Sequence, residues 1–131
     1  MDERLSKLID DYLTAVAKAI SLIEKSGINL PKSNTEWTLS GRPFVGHLVG
    51  GIRYRKHGYG CEVHLPDCEV DFDFGANGET NGFDLWRLAG FAEGRLERYG
   101  FGNEEELKAS FDKAKSAEEF IFSGYILYYR K

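Results

Sequence analysis

Gly51-Ile-Arg-Tyr-Arg-Lys-His-Gly-Tyr-Gly-Cys-Glu-Val-His-Leu-Pro-Asp-Cys-Glu-Val-Asp-Phe-Asp-Phe74 is the stretch whose reading decides the fold. Three runs in it alternate apolar and polar residues, the period of a strand with one face buried. Placing two-residue turns at His57-Gly58 and Pro66-Asp67 sets a register. Tyr54 then faces Cys61, Ile52 faces Val63, Val63 faces Val70, Cys61 faces Phe72 and Leu65 faces Cys68, all on one apolar face. A one-residue slip would turn that whole set toward water, so the pattern favours this pairing. The opposite face carries Arg53, Glu62 and Asp71 in one row, Gly51, His64 and Glu69 in the next, and Arg55, Gly60 and Asp73 in a third. Pro at the first turn position of Pro66-Asp67 suits a type I or II turn.

Working outward, residues 57–86 contain seven acids and neither Lys nor Arg. The 131-residue chain is net −4 and this stretch alone is −7, which leaves +3 for everything else. Acidity is therefore concentrated in one segment. The chain length suits one domain, 1–131, with a single core. The modest negative charge argues against direct nucleic-acid binding, which needs a basic face. The sequence holds no apolar run of membrane-spanning length, so no membrane partner is expected. Met1-Asp-Glu-Arg-Leu5 lacks the layout of a secretory signal, and the two cysteines then read as reduced thiols in a cytoplasm.

Toward the N-terminus, Leu5, Leu8, Ile9, Tyr12, Leu13, Val16, Ala19, Ile20 and Ile23 form one stripe at helical spacing. The spacing predicts a long helix over 3–26, with Asp2 as N-cap and Ser26-Gly27 as its stop. Residues 29–43 read as a loop, and 44–50 as a short strand or turn entering the sheet. Toward the C-terminus, Gly75-Ala-Asn-Gly-Glu-Thr-Asn-Gly82 is turn-rich. A helix is expected from Phe83 to Tyr99, on the stripe Leu85, Leu88, Ala89, Ala92, Leu96 and Tyr99. Asn103-Glu-Glu-Glu106 starts another to about Lys115. Ser116-Ala-Glu-Glu119 signals a further helical turn through Phe122, and Tyr125 to Arg130 a last strand. The fold class is α+β: a long N-terminal helix, a three-stranded antiparallel meander, two further helices and a short C-terminal strand.

Glu62 and Asp71 are expected as cross-strand neighbours, and like charges so placed destabilise a sheet. A solvated ion ladder, with Arg53 beside Glu62 and Arg55 reaching Asp73, is one account. Exposed ion pairs contribute only about 0–1 kcal/mol each, which is a poor reason to gather so many acids. The other account is a docking surface for a basic partner, since clustered charge steers association. Its contact residues are Glu62, His64, Glu69, Asp71, Asp73, Glu79 and Asp84. Arg87 is the first base after thirty residues without one. It is expected to pair with Asp73 or Asp84 as a structural clasp, together with Arg53, Arg55 and Trp86.

Asp73 through Asp84 has the length of an EF-hand loop, with Asp first and Gly sixth. Gly75 offers no ligand at the third position, Asp84 replaces the usual Glu, and a strand precedes it, so an acidic hairpin loop fits better. Cys61 and Cys68 lie about 13 Å apart in this register, too far for a disulfide. His47, His57 and His64 show no zinc-type spacing. No metal, cofactor or catalytic residue is assigned. A small metal-dependent enzyme or ligand-binding domain using Asp71, Asp73 and His64 is the alternative, and a subunit-type interaction module the third reading.

The runs His57-Gly-x-Gly-Cys61-x-Val63, Val70-Asp-Phe-Asp-Phe-Gly75 and Gly82-Phe-Asp-x-Trp86-Arg-Leu88, followed by Tyr128-Tyr129, resemble a small uncharacterised bacterial domain family over about residues 40–130. Cys68 departs from it where a turn-compatible Gly is expected. The resemblance implies an immunity protein of a polymorphic or contact-dependent toxin system. Such a protein is no enzyme: it binds a cognate protein toxin, here a basic one such as a nuclease, and neutralises it in the cytoplasm.

Overall fold

The computed structural model describes residues 1–28, 45–57, 60–73, 82–123 and 126–128. It is α+β, as the pattern implies, with one antiparallel sheet carrying helices. Helix α1 spans Glu3–Lys25. Asp2 caps it by accepting from the Arg4 N–H at 2.9 Å, and Gly27 at φ 77° turns the chain away. Every residue of the expected stripe is buried except Ile20, which is partly buried.

The strands are β1 Val45–His47, β2 Arg53–His57, β3 Gly60–His64, β4 Glu69–Asp73, β5 Gly82–Phe83, β6 Ile121–Ser123 and β7 Ile126–Tyr128. Among the described residues they lie in the order β1-β2-β3-β4-β5-β7-β6. The three-stranded meander is thus the middle of a wider sheet, extended by β1 on one side and three short strands on the other. Gly46 in β1 sits opposite Tyr54, and any side chain there would meet the Tyr54 ring, since a Cβ would lie 2.8 Å from it.

The β3–β4 register agrees with the sequence: Val63 faces Val70 and Cys61 faces Phe72. The β2–β3 register does not. Tyr54 faces Val63, not Cys61, because His57 pairs with Gly60 and the whole pairing is displaced along the strands. The slip is two residues, so the apolar face is preserved while the polar rows change. Arg55, Glu62 and Asp71 now share a row, with Arg53, His64 and Glu69 in the next.

Helix α2 is Leu85–Phe91, shorter than expected; a turn through Gly94, at φ 74°, leads into a single 3-10 turn at Leu96–Tyr99. Helix α3 is Glu104–Ser116, capped by Asn103. The helical turn expected through Phe122 is absent: Glu118 takes a left-handed φ of 56° and β6 follows. The core joins α1 to the apolar face of the meander, with Tyr12, Val63, Phe72, Phe83, Leu88 and Phe101 fully buried. Phe83 packs edge-on to Phe120 at 5.3 Å between centroids, an arrangement that ties the C-terminal segment to the middle of the sheet.

Candidate functional site

Among the described residues strand β5 is Gly82–Phe83, and β4 pairs with it at Asp73–Gly82. The rest of that β4 edge is finished by helices. The Tyr12 hydroxyl of α1 donates to the Asp71 carbonyl oxygen at 2.6 Å, and α2 packs along the strand. Burial pushes the Tyr12 phenol well above its ordinary range, so it is a fixed neutral donor.

Where α2 meets β4, three carboxylates converge on one guanidinium. Arg87 Nη2 lies 2.8 Å from Asp73 Oδ2, Nη1 lies 2.9 Å from Asp84 Oδ2, and Nε lies 3.7 Å from Asp71 Oδ1. Asp84 also caps α2, since its Oδ1 accepts from the Arg87 N–H at 2.8 Å. The clasp read from the sequence therefore forms, and it takes both proposed acids and a third. Its cost to the docking surface is plain. The side chains of Asp71 and Asp73 keep only 13% and 10% of their exposure, so their charge is spent mainly on Arg87.

Two of the four expected clasp residues stand elsewhere. Arg53 and Arg55 lie on β2, two strands away, opposite His64 and Glu62 respectively. Trp86 is 69% exposed and projects from α2 beside the clasp. The inward side of α2 carries buried Leu88 and Phe91 with partly buried Leu85 and Ala89, and Trp86 falls off it, which is the signal that would have placed it outside. Glu93, unremarked in the sequence, lies with Trp86 and Glu69 around one groove.

The other acids form a second cluster. His64 Nε2 lies 2.6 Å from Glu62 Oε1 and its Nδ1 3.7 Å from Glu69 Oε2. One ligand atom from each of the three lies within 4.8 Å of the others, the spacing of a cation site. Arg53 and Arg55, their cross-strand partners, bring positive charge to the same rows. Asp71 and Asp73, assigned with His64 to a metal-dependent alternative, do not join this cluster. Glu79 and most of the Asp73–Asp84 loop lie outside the described residues.

Cys61 and Cys68 are both free thiols. Burial pushes the Cys61 thiol up to about 12, helped by the nearby Asp71 and Glu62 charges. It is therefore a core residue without nucleophilic character. Among the described residues no helix is long and apolar enough to cross a membrane.

The chain belongs to the family described as a domain of unknown function, DUF6896, whose profile matches residues 5–130. The match takes in α1 as well as the motifs read from 40 onward. No curated protein and no solved structure matches the chain.

Proposed function

We propose that this member of the DUF6896 family is a bacterial immunity protein, which binds a basic toxin domain in the cytoplasm and neutralises it by occupying or flanking its active site. The observation that carries this reading is the acidic face made by β3, β4 and the start of α2, bordered by an exposed tryptophan. Glu69 is 51% exposed and Trp86 69% exposed. Aromatic anchors next to clustered charge are what protein interfaces favour, because the ring supplies contact area and the charge steers approach. A toxin acting on nucleic acid carries the basic surface that such a face complements.

The contact set narrows from six acids and His64 to the residues that Arg87 does not engage. Glu62, His64 and Glu69 form the centre, with Trp86 beside them, while Asp71, Asp73 and Asp84 support the surface from beneath through Arg87. The test is co-expression with a toxin-like domain encoded beside this gene. A stable complex eluting as one species on gel filtration supports the reading; separate elution at micromolar concentration and low salt refutes it.

One observation favours a second reading, a metal-dependent or ligand-binding domain. The Glu62, His64 and Glu69 atoms stand close enough to share a divalent cation. Arg53 and Arg55 oppose it electrostatically, so it ranks second. A melting-temperature rise with zinc or manganese, lost in His64→Ala, would bring it forward.

A further inference from the structure

Between β4 and α2 runs a groove of about 240 Å³, walled by Glu69, Trp86 and Glu93 and floored by Asp71 and Arg87. Three observations describe what fits it. Arg87 is already engaged by Asp71, Asp73 and Asp84, and the groove itself is lined by three carboxylates, Glu69, Asp71 and Glu93, against that one guanidinium. The lining is net negative, so an occupant of the groove is favoured if cationic. Trp86 presents its indole to solvent, and tryptophan is the best aromatic acceptor for a cation. The groove is smaller than the roughly 300–1,000 Å³ of small-molecule sites, yet it has room for one long side chain.

From this juxtaposition we infer that the β4–α2 groove receives an arginine side chain from a protein partner. Its guanidinium stacks on Trp86 and is hydrogen-bonded by Glu69 and Glu93. Arginine is preferred to lysine because its planar, weakly hydrated head both stacks and forks to carboxylates. The inference deepens the immunity reading and rests on it for the partner's identity; the groove's chemistry can be tested without that partner.

The groove also offers a shape-only control. Gly90 on α2 contributes to its wall, and a Cβ built there meets nothing within 4 Å. Gly90→Leu therefore fills the groove without altering any charge, and in a helix it is tolerated or favourable.

The experiment uses the full chain, labelled with nitrogen-15, at low ionic strength. It is titrated with a capped octapeptide of alternating glycine and arginine, and with the same peptide carrying citrulline in place of arginine. The readout is the Trp86 indole N–H resonance, assigned with Trp86→Phe, and Trp37 supplies a second indole signal in the same spectrum. The arginine peptide should shift the Trp86 signal, with citrulline binding at least tenfold weaker. Trp86→Ala, the pair Glu69→Gln/Glu93→Gln, and Gly90→Leu should each weaken the arginine peptide about tenfold, as read from backbone shifts on α2, with unchanged melting temperatures. Equal binding of the two peptides, affinities within twofold in Gly90→Leu and Trp86→Ala, or no shift at millimolar peptide would each overturn the inference. If toxin binding fails while the peptide result holds, the immunity reading falls and the groove stands. If the chain binds its toxin equally well with Gly90→Leu, the groove falls and the immunity reading stands.

Discussion

Arg87 Nη2 stands 2.8 Å from Asp73 Oδ2, and that pair fastens helix α2 to the last full strand of the meander. Both side chains keep only 10% of their exposure. The same guanidinium holds the N-cap residue of its own helix, Asp84, at 2.9 Å. One cation thus sets the helix start, its angle to the sheet and the position of Trp86 one residue earlier.

Removing that cation leaves three clustered carboxylates facing one another. Arg87→Met should destabilise the domain by about 3–5 kcal/mol, the range for breaking a buried ion pair from one side. Asp73→Asn added to it should recover part of the loss, because one of the stranded charges disappears. Urea unfolding of the two variants measures both effects. A loss below about 1 kcal/mol in Arg87→Met would mark the clasp as a solvated surface pair.

Tyr12 provides the matching contact from the other helix. Its hydroxyl meets the Asp71 carbonyl oxygen at 2.6 Å, two residues along β4 from the Asp73–Gly82 pair. Tyr12→Phe should cost about 0.5–1.5 kcal/mol, the net contribution of one such hydrogen bond. Amide exchange should rise along β4 and much less along β2, which hydrogen exchange resolves.

Asp2 makes the fold acid-sensitive at one end. Hydrogen bonding to the Arg4 side chain, helped by the Arg4 N–H and Ser110, lowers it from 3.8 to about 2 despite opposing desolvation. Its folded pKa is depressed, so its contribution is complete above pH 3.8 and lost as pH falls through about 2. The stability gap between the protein and Asp2→Asn should therefore be constant well above pH 3.8 and shrink steadily as pH falls from there through about 2. Urea melts across that range decide it; a gap independent of pH would contradict it.

The two thiols should behave differently. Cys61 is fully buried with its thiol pushed up to about 12, while Cys68 is only partly buried. Native protein should react with a thiol reagent at pH 8 at Cys68 alone, and at both sites in denaturant. Native labelling of Cys61 at a similar rate would show that the meander opens readily.

What the residue pattern revealed, and what it did not, follows from the periods involved. The α1 stripe is long and regular, and its burial was readable residue by residue. The β3–β4 pairing was readable because Val63–Val70 and Cys61–Phe72 match apolar partners. The β2–β3 pairing was misplaced by two, since a period of two cannot distinguish registers differing by an even number. Only the turn chemistry at 57–60 separates them, and glycines at 58 and 60 permit either placement. Strand β6 was hidden because a capping-type signal, Ser116-Ala-Glu-Glu119, continues an existing helix until Glu118 breaks it. For the site, the convergence of Asp71, Asp73 and Asp84 on Arg87 was half visible from the absence of other bases nearby. That the clasp would draw Asp71 and Asp73 away from solvent depended on how α2 packs, which composition does not encode. The Glu62, His64 and Glu69 grouping was present in the expected rows only in part, because His64 bridges along β3 as well as across to β4.

Neutralisation of a toxin by the exposed part of the acidic face is the proposed activity. It is tested most directly by counting survivors when the neighbouring toxin domain is expressed under tight control with this protein or with Glu62→Lys/Glu69→Lys. Glu69 is half exposed, while Glu62 keeps only 19% of its exposure beside His64, so the single Glu69→Lys is run alongside and the melting temperature of each variant is measured. Full rescue by the parent and loss of rescue by the reversed protein are expected at equal expression. Rescue by both would move the interface elsewhere, and no rescue by the parent would contradict the immunity function itself.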